Sequence, residues 1–370
     1  MAAALCCPVC GNTYADRWRC ECTHPLEFAE QPLPAGPAPT FAEIDTREGL
    51  WALAGFHPVA RRVTLAEGWT PLVDAPEWDA SFKLEYVFPT GSFKDRGAAM
   101  VVSRAVGLGV ERVVEDSSGN AGAAIATYAA RAGIDARIFV PTDTTAAKLR
   151  AIERAGADAV RVDGSRADVT AACTEAVEAG EGWYASHAWR PAFYAGTRTV
   201  AFEIAAQRDW SVPDAVVLPL GHGTLLLGAY RGFRALREAG WVNEIPRLFG
   251  AQATGYAPIV AELHGDGTGN GEADGGGANT GTNEAADGIH VREPPRREEI
   301  VRAIEGTGGD AVAVGEGATR REHDRLARAG FHVEPTCATA TAALRTYRER
   351  GVLGPGADVV VALTGSGLKT

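Results

Sequence analysis

The chain has 370 residues, of which 46% are hydrophobic, and it carries a formal net charge of −11 at pH 7. This length predicts two packed domains with an appendage, and no apolar run reaches the roughly 18 residues that a membrane-spanning helix needs. The negative charge argues against a general binder of nucleic acid or of membrane surfaces. No signal peptide is recognisable, and the seven cysteines do not resemble a secreted disulfide set, so we expect a cytoplasmic protein.

Residues 1–30 contain a cluster of cysteines. Cys7 and Cys10 form a C-x2-C pair, and Cys20 and Cys22 form a C-x-C pair shortly after it. Four thiolates at this spacing are typical of a small tetrahedral zinc ribbon, in which the metal stabilises a segment too short to fold alone. The alternative is a set of reduced cysteines on a flexible arm, and the extra Cys6 leaves both interpretations open. If metal binds here, we expect a structural role.

A linker follows at residues 31–66. Its first ten residues are rich in proline, which predicts a stiff connection, and residues 50–53 are typical of a short packing helix. Residues 67–72 then lead into the main region of the chain, residues 67–370.

A strand-to-helix turn places a lysine at residue 94. The β-rich run 82–88 ends in Pro89-Thr90-Gly91, a chain-reversing signal, and Ser92 is expected to cap the helix that follows. Only four of the 36 basic residues are lysines, so the amine of Lys94 is either a solvated charge or is retained for its chemistry. Unlike arginine, a desolvated lysine can lose its proton and form a Schiff base.

From residue 110 onward, predicted strands alternate with helices. The strands are expected at residues 112–115, 136–140, 159–162, 183–185, 215–220, 247–251, 311–314 and 359–363, and the helices at 121–132, 146–155, 167–179, 225–239, 297–304 and 320–329. This alternation predicts an α/β fold with parallel-rich sheets covered by helices, its smaller subdomain spanning about residues 100–195. Ligands in such folds bind at the C-terminal ends of the strands.

Residues 265–287 interrupt this pattern. They include many glycines and almost no apolar side chains, so they cannot bury enough surface to offset the entropy of ordering. The segment is predicted to be a disordered surface loop.

Three further turns follow predicted strands and could hold chemistry. Residues 117–122 read S-S-G-N-A-G, which leaves backbone amides free to hold a carboxylate, although ordinary helix capping also explains this pattern. Residues 221–225 read G-H-G-T-L and favour a monophosphate at a helix N-terminus. Thr364 presents a neutral hydroxyl after the last strand, a position that is also typical of a plain turn.

Several enzyme classes find no support. Gly221 and Gly223 are a near miss for a dinucleotide fingerprint because Leu226 stands where a third glycine belongs. The sequence contains no G-x-S-x-G elbow, no Walker loop and no H-x-x-x-H pair. What the turns do supply together is an amine, an anion cradle and polar groups, the set that pyridoxal 5′-phosphate requires.

On these motifs the chain resembles threonine synthase and its relatives among the fold-type II pyridoxal-phosphate enzymes, the tryptophan synthase beta-like family. The matching segments stand in family order at residues 89–97, 117–122, 196–203, 221–228, 285–289 and 363–369. The cysteine cluster followed by Pro25-Leu26 is similar to the ribbon that some members carry. The resemblance implies a two-domain catalytic region, an amino-acid substrate and a homodimer.

The resemblance also implies roles residue by residue. Lys94 would bind the cofactor through its amine and shuttle protons at the substrate carbons. Asn120 would lie against the ring hydroxyl of the cofactor, and Thr364 would meet its pyridine nitrogen. The substrate carboxylate would bind to Ser117, Ser118 and Gly119. The cofactor phosphate would bind to Gly221, His222, Gly223, Thr224 and Leu225.

Two departures from the family pattern concern the substrate. Ala121 stands where threonine synthases usually have threonine, and Phe193 stands where an arginine usually grips the phosphate of O-phosphohomoserine. Losing that arginine forfeits a charge-assisted contact of about 1.5–3 kcal/mol. His187 and Arg190 are the candidates to supply positive charge to the substrate instead.

The leading hypothesis is a threonine synthase-like lyase that removes phosphate from O-phosphohomoserine and adds water. Its nearest rival is β-replacement or elimination on a three-carbon amino acid such as O-phosphoserine. Two alternatives lie outside this class of enzymes. One is a Rossmann-type nucleotide-binding protein that uses the turn at Gly221. The other is a nucleic-acid-binding ribbon attached to a degenerate enzyme, which the net negative charge and the intact Lys94 turn oppose.

Overall fold

The computed structural model describes residues 3–265 and 281–369. The strands of this part of the chain form a three-stranded N-terminal sheet, a six-stranded sheet and a four-stranded sheet. They are β1 (Leu5–Cys6), β2 (Thr13–Tyr14), β3 (Glu27–Phe28), β4 (Leu72–Ala75), β5 (Ala80–Lys83), β6 (Arg112–Glu115), β7 (Asp135–Pro141), β8 (Asp158–Val162), β9 (Trp183–Tyr184), β10 (Ala215–Pro219), β11 (Arg247–Ala253), β12 (Asp310–Val314) and β13 (Val359–Ala362).

Helices cover the two larger sheets. They are α1 (Lys94–Gly107), α2 (Asn120–Ala132), α3 (Ala146–Glu153), α4 (Arg166–Glu178), α5 (Pro191–Thr197), α6 (Thr199–Ala206), α7 (Thr224–Glu238), α8 (Pro258–His264), α9 (Arg297–Gly306), α10 (Glu316–Arg328) and α11 (Pro335–Glu349). Short 3₁₀ helices occur at Phe41–Glu43, Thr46–Phe56, Pro76–Trp78, Glu284–Ile289 and Gly367–Lys369. No helix in the described ranges is long and apolar enough to cross a membrane.

The six-stranded sheet has the order β12-β11-β10-β13-β5-β4, and only the β4–β5 pairing is antiparallel. Side chains of successive residues in a strand point to opposite faces. Accordingly, Val216 and Leu218 of β10 pack into one hydrophobic core, whereas Ala215 and Val217 pack into the other. Because both faces of the sheet are covered, its central strands can be apolar throughout.

The four-stranded sheet has the order β8-β7-β6-β9 and is parallel throughout. Its β6 strand follows the same rule, since Val113 packs on one face and Val114 on the other. The short N-terminal sheet is antiparallel, and Leu5, Leu26 and Phe28 join the main hydrophobic core. The cysteine segment is therefore packed against the body of the protein. The α/β class and the parallel-rich sheets predicted from the sequence are confirmed.

Part of the loop predicted to be disordered is ordered. Residues 266–280 lie outside the described ranges, but Glu284–Ile289 forms a 3₁₀ helix, with Ala286 fully buried. The side chain of Asn283 is also buried, and its amide donates to the carbonyl of Val314 at 2.9 Å. The prediction was wrong for residues 281–287 because hydrogen bonds at Asn283 and Glu284 tie these residues to the fold although few of them are apolar.

Candidate active site

Lys94 is the first residue of α1, directly after the turn that follows β5. The backbone amide of Phe93 donates to the carbonyl of Thr364 at 3.1 Å, which ties this turn to the end of β13. The prediction that Ser92 caps the helix was wrong, because Phe93 occupies the cap position and no side chain bonds there. The first turn of α1 is instead held by Asp95, whose carboxyl group accepts from the backbone amide of Thr90 at 2.9 Å.

The amine of Lys94 lies in surroundings of low polarity. Desolvation lowers the pKa of Lys94 to about 8, although the carboxyl groups of Glu115 and Glu334 act in the opposite direction. The amine lies 4.5 Å from the centroid of the Phe93 ring, and it has no hydrogen-bond or ion-pair partner among the described residues. With a pKa of about 8, roughly a tenth of this amine is unprotonated at pH 7, far more than for an ordinary lysine, as a nucleophilic lysine requires.

Lys94 opens onto a cavity of about 530 Å³. Three strand-to-helix turns line it together with the lysine, and these are the turns in which the sequence indicated chemistry. The lining residues from them are Ser117, Ser118, Gly119 and Asn120 after β6, Gly221, His222, Gly223, Thr224 and Leu225 after β10, and Thr364 after β13.

The glycine turn after β10 brings backbone close to the cavity. Gly223 has φ +73°, and a Cβ atom built on it would meet Ile300 Cδ1 at 2.4 Å, so only glycine fits. Helix α7 begins at Thr224, and its first amides have no intrahelical acceptors and carry partial positive charge. Burial lowers the pKa of His222 to about 3, so its imidazole is neutral here. The turn is suited to an anion that accepts backbone hydrogen bonds.

Glu334 and Lys369, which form hydrogen bonds with the side chain of Asn120, were not predicted to belong to the site. Asn120 Nδ2 donates to the Glu334 carboxyl group at 3.1 Å, and its Oδ1 accepts from Lys369 Nζ at 2.7 Å. Both partners line the cavity. Burial raises the pKa of Glu334, and desolvation lowers the pKa of Lys369. The scarcity of lysine was the available signal for Lys369, whereas nothing in the sequence distinguished Glu334 from the chain's many other acids.

His187 and Arg190, expected to contact the substrate, occupy different places. His187 lines the cavity, and its Nδ1 lies 2.6 Å from Glu115 Oε1. Arg190 is not among the lining residues; its Nε donates to the carbonyl of Tyr184 at 2.5 Å, and its Nη1 donates to Asp16 at 3.0 Å. The charge of Arg190 is thus neutralised at the contact with the cysteine segment.

Cationic side chains from α3, from the residue after it and from α4 line the cavity instead, and they were not predicted from the sequence. They are Lys148, Arg150, Arg154 and Arg166, which we call the basic rim. Lys148 pairs with Asp287 at 2.8 Å and Arg166 with Asp116 at 3.0 Å. Arg150 and Arg154 make no ion pair within the described part of the chain, so their positive charge favours an anionic substrate at this side of the cavity.

The cysteine cluster forms a separate group of potential ligands. The Sγ atoms of Cys7, Cys10, Cys20 and Cys22 all lie within 4.8 Å of one another. The Cys7–Cys22 separation is 3.5 Å and the Cys10–Cys20 separation is 3.4 Å. Four sulfurs bound tetrahedrally to zinc at about 2.3 Å stand roughly 3.8 Å apart, so the donor set fits a structural zinc ion.

Sequence and structure comparisons place this site in context. The profile of the family described as pyridoxal-phosphate dependent enzyme matches residues 63–365. The chain is 33% identical over 335 residues to a threonine synthase of Methanosarcina acetivorans, an alignment that covers 86% of this chain and 80% of the relative. It is 31% identical over 379 residues to a threonine synthase of Methanocaldococcus jannaschii, covering 98% and 92% respectively.

Among solved structures, a pyridoxal 5′-phosphate-dependent aspartate racemase superposes with a TM-score of 0.67. It is 22% identical and covers 80% of this chain and 90% of its own, a similarity that concerns the fold alone. The family profile includes Lys94 and the three turns of the cavity, and the curated relatives extend over most of the chain. The chain therefore belongs to the pyridoxal-phosphate dependent enzyme family.

Proposed function

We propose that the chain is a threonine synthase-like lyase that eliminates phosphate from O-phosphohomoserine and adds water to give threonine. The observation that carries the proposal is the shared cavity, in which Lys94, the glycine turn and the basic rim meet. The threonine synthases to which the chain is similar over most of its length support the same reaction.

The residues of the cavity fit pyridoxal phosphate. The amine of Lys94 has a lowered pKa and no hydrogen-bond or ion-pair partner in the described ranges, and side chains at Gly221 or Gly223 would meet Ile289 or Ile300. These two features match the aldehyde and the phosphate of the cofactor. When bound, the cofactor supplies an electron sink that makes the bonds at the substrate Cα labile.

The chain's own residues then position the substrate and move protons. The amides and hydroxyls of Ser117, Ser118 and Gly119 would hold the substrate carboxylate. Asn120 and Thr364 would contact the cofactor ring, and Asn120 is held in place by Glu334 and Lys369. Lys94, with its pKa near 8, can accept and return protons at the substrate carbons at neutral pH.

The substrate phosphate would be recognised by the basic rim. Arg150, Arg154 and Arg166 are exposed, and Lys148 is partly exposed, so all four can approach an anion at the cavity. We propose that they replace the arginine that the family places where Phe193 stands here. Arg190 does not take this part, since it is buried and does not line the cavity.

A second candidate is β-replacement or elimination on a three-carbon amino acid such as O-phosphoserine. Phe193 favours it: the ring is fully buried, and its centroid lies 6.0 Å from Lys94 Nζ. An apolar ring at this point shifts the phosphate position relative to that in threonine synthases. A shorter substrate is one way to match such a shift.

We also propose the arrangement around this catalytic region. Residues 1–30 would form a ribbon holding a structural zinc ion, residues 31–66 a linker, and residues 67–370 the catalytic region with a smaller subdomain at about 100–195. The family resemblance supports a homodimer acting on a small amino-acid substrate in the cytoplasm.

The test is a steady-state assay on purified protein that carries pyridoxal phosphate. Phosphate release and amino-acid products are measured with O-phosphohomoserine and with O-phosphoserine. Threonine formation from the first supports the leading proposal, and turnover of the second alone supports the alternative. Lys94→Ala should abolish both the visible absorbance of the bound cofactor and turnover. A wild-type protein without that absorbance would overturn both candidates.

A further inference from the structure

Glu115 and His187 form a buried pair beside the cavity, which we call the Glu115–His187 pair. Glu115 ends β6, His187 lies between β9 and α5, and His187 Nδ1 is 2.6 Å from Glu115 Oε1. Both side chains are almost entirely buried, and Glu115 Oε2 has no hydrogen-bond partner among residues 3–265 and 281–369. Because an unpaired buried carboxyl group destabilises a fold, this arrangement has a structural cost that a purely structural residue would not require.

The second ring nitrogen of His187 is available for chemistry. Glu115 occupies Nδ1, whereas Nε2 makes no hydrogen bond within the described part of the chain. The histidine lines the cavity together with Lys94, and its ring centroid lies 5.0 Å from that of His222. An imidazole held at one nitrogen by a carboxyl group and free at the other is the geometry of an oriented acid–base residue.

Burial and the neighbouring charges favour a state in which the Glu115–His187 pair carries no net charge. Burial and the neighbouring Asp116 raise the pKa of Glu115, and burial and Lys94 lower the pKa of His187. A proton lost from Nε2 would leave one negative charge on the pair. The cations Lys94 and Arg166, which act on both groups, would stabilise that charge.

We propose that His187 is a second acid–base residue of this active site and that Glu115 is the positioning residue that orients it. The proposal rests on the phosphate elimination proposed above and adds the group that serves the leaving phosphate and the attacking water. Lys94 transfers protons at the substrate carbons, whereas His187 transfers them at the oxygen atoms of the leaving phosphate and the attacking water. The family resemblance assigns no such role to either residue.

The proton that the Glu115–His187 pair gives up during elimination is recovered during the addition of water. As the C–O bond breaks, its electron pair goes to the phosphate oxygen, and the Nε2 proton of His187 passes to that oxygen. The pair then carries one negative charge. As the oxygen of a water molecule bonds to carbon, one water proton passes to Nε2, and the pair returns to its initial state.

A nuclear magnetic resonance experiment tests the geometry independently of turnover. In protein carrying the cofactor and ¹⁵N-labelled histidine, inorganic phosphate should shift the Nε2 resonance of His187, identified by its loss in His187→Gln. Glu115→Gln should change the protonation of Nδ1 and alter this response. If saturating phosphate leaves Nε2 of His187 unmoved, the proposal is overturned, whether or not the enzyme turns over O-phosphohomoserine.

Kinetic measurements on variants then distinguish a positioning role of Glu115 from a purely structural one. Glu115→Gln should lower kcat by about 10²-fold or more with little change in KM, and Glu115→Asp should restore part of the loss. His187→Ala should be equally impaired and partly rescued by added imidazole. The matched control is Glu322→Gln, which alters a buried carboxyl group bonded to Trp78 and Arg345 outside the cavity. A Glu115→Gln enzyme with wild-type kcat would overturn this proposal alone, whereas a wild type that releases no phosphate would overturn the proposed function and, with it, this role of His187.

Discussion

Lys83 Nζ lies 2.8 Å from Glu203 Oε2, and both side chains are buried. Arg96 joins this pair, since its guanidinium donates to Glu203 at 2.8 Å and to Glu85 at 2.7 Å. Arg96 stands two residues after Lys94 on α1. The buried charges therefore hold the helix that presents the cavity amine.

Glu203→Gln should destabilise the protein strongly. Removing one partner of a buried ionic network leaves uncompensated charge, so we expect the free energy of unfolding to fall by about 3–5 kcal/mol in urea titrations. The control is Glu238→Gln, which breaks an exposed pair with Arg234 and should change this free energy by about 0.5 kcal/mol or less. Similar losses in the two variants would show that the buried network adds nothing.

The same carboxylate should make stability depend on pH. Burial alone would raise the pKa of Glu203, but Arg96 and Lys83 outweigh it and lower the pKa from 4.5 to about 2. A lowered pKa stabilises the fold above the unfolded-state value, and this contribution is lost as the pH falls from about 4.5 toward 2. The difference in unfolding free energy between wild type and Glu203→Gln should therefore shrink over this interval. A difference that stays constant from pH 6 to pH 2.5 would contradict the assignment.

Lys94 should react with acylating reagents at a lower pH than an ordinary lysine. Desolvation lowers the pKa of Lys94 to about 8, so half of its amine is neutral at that pH. Limited acetylation of the cofactor-free protein, followed by peptide mass spectrometry, should give a labelling rate with a midpoint near pH 8. The same peptide from urea-unfolded protein is the control, with a midpoint near pH 10.4. Identical midpoints in the two states would refute the shift.

The positions of the four lysines show which part of the site could be predicted from the sequence. Lys94, Lys148 and Lys369 line the cavity, and Lys83 is buried against Glu203, so none of the four serves as a plain surface charge. The rarity of lysine was therefore informative beyond residue 94. Arginine gave no such signal, because 32 arginines are spread over the chain, and the arginines of the basic rim could not be told apart from surface arginines.

Secondary structure was predictable where one face of an element differs from the other. The glycine-rich turns after β6 and β10 were recognisable because small residues follow apolar strands. Helix α6 was missed because all of its residues are buried, which removes the contrast between faces that reveals a helix. Helix α11 was missed because its first half, T-C-A-T-A-T, consists of residues with mixed propensity and is also buried.

Gly223→Ala should weaken cofactor binding. A methyl group there would meet Ile300 Cδ1 at 2.4 Å, and the backbone at φ +73° disfavours any side chain, so the anion turn must deform. We expect at least a tenfold rise in the Kd of pyridoxal phosphate, measured by absorbance titration. Gly240→Ala is matched in φ, at +72°, but has open space around it, so it should reduce stability by about 1–2 kcal/mol and leave this Kd unchanged. Equal Kd values for the two variants would show that the turn at Gly223 does not contribute to cofactor binding.

Purified protein should contain about one zinc ion per chain, bound by the cysteine cluster. Cys10→Ser should lose this zinc, because Cys10 is an exposed member whose Sγ lies 3.4 Å from that of Cys20. Cys6→Ser is the matched control, since Cys6 neighbours the cluster but is not among its four ligands, and it should keep the metal. Elemental analysis after dialysis against a weak chelator gives the stoichiometry. Wild-type protein that holds no zinc, or a Cys10→Ser variant that retains it, would leave hydrophobic packing as the support of this segment.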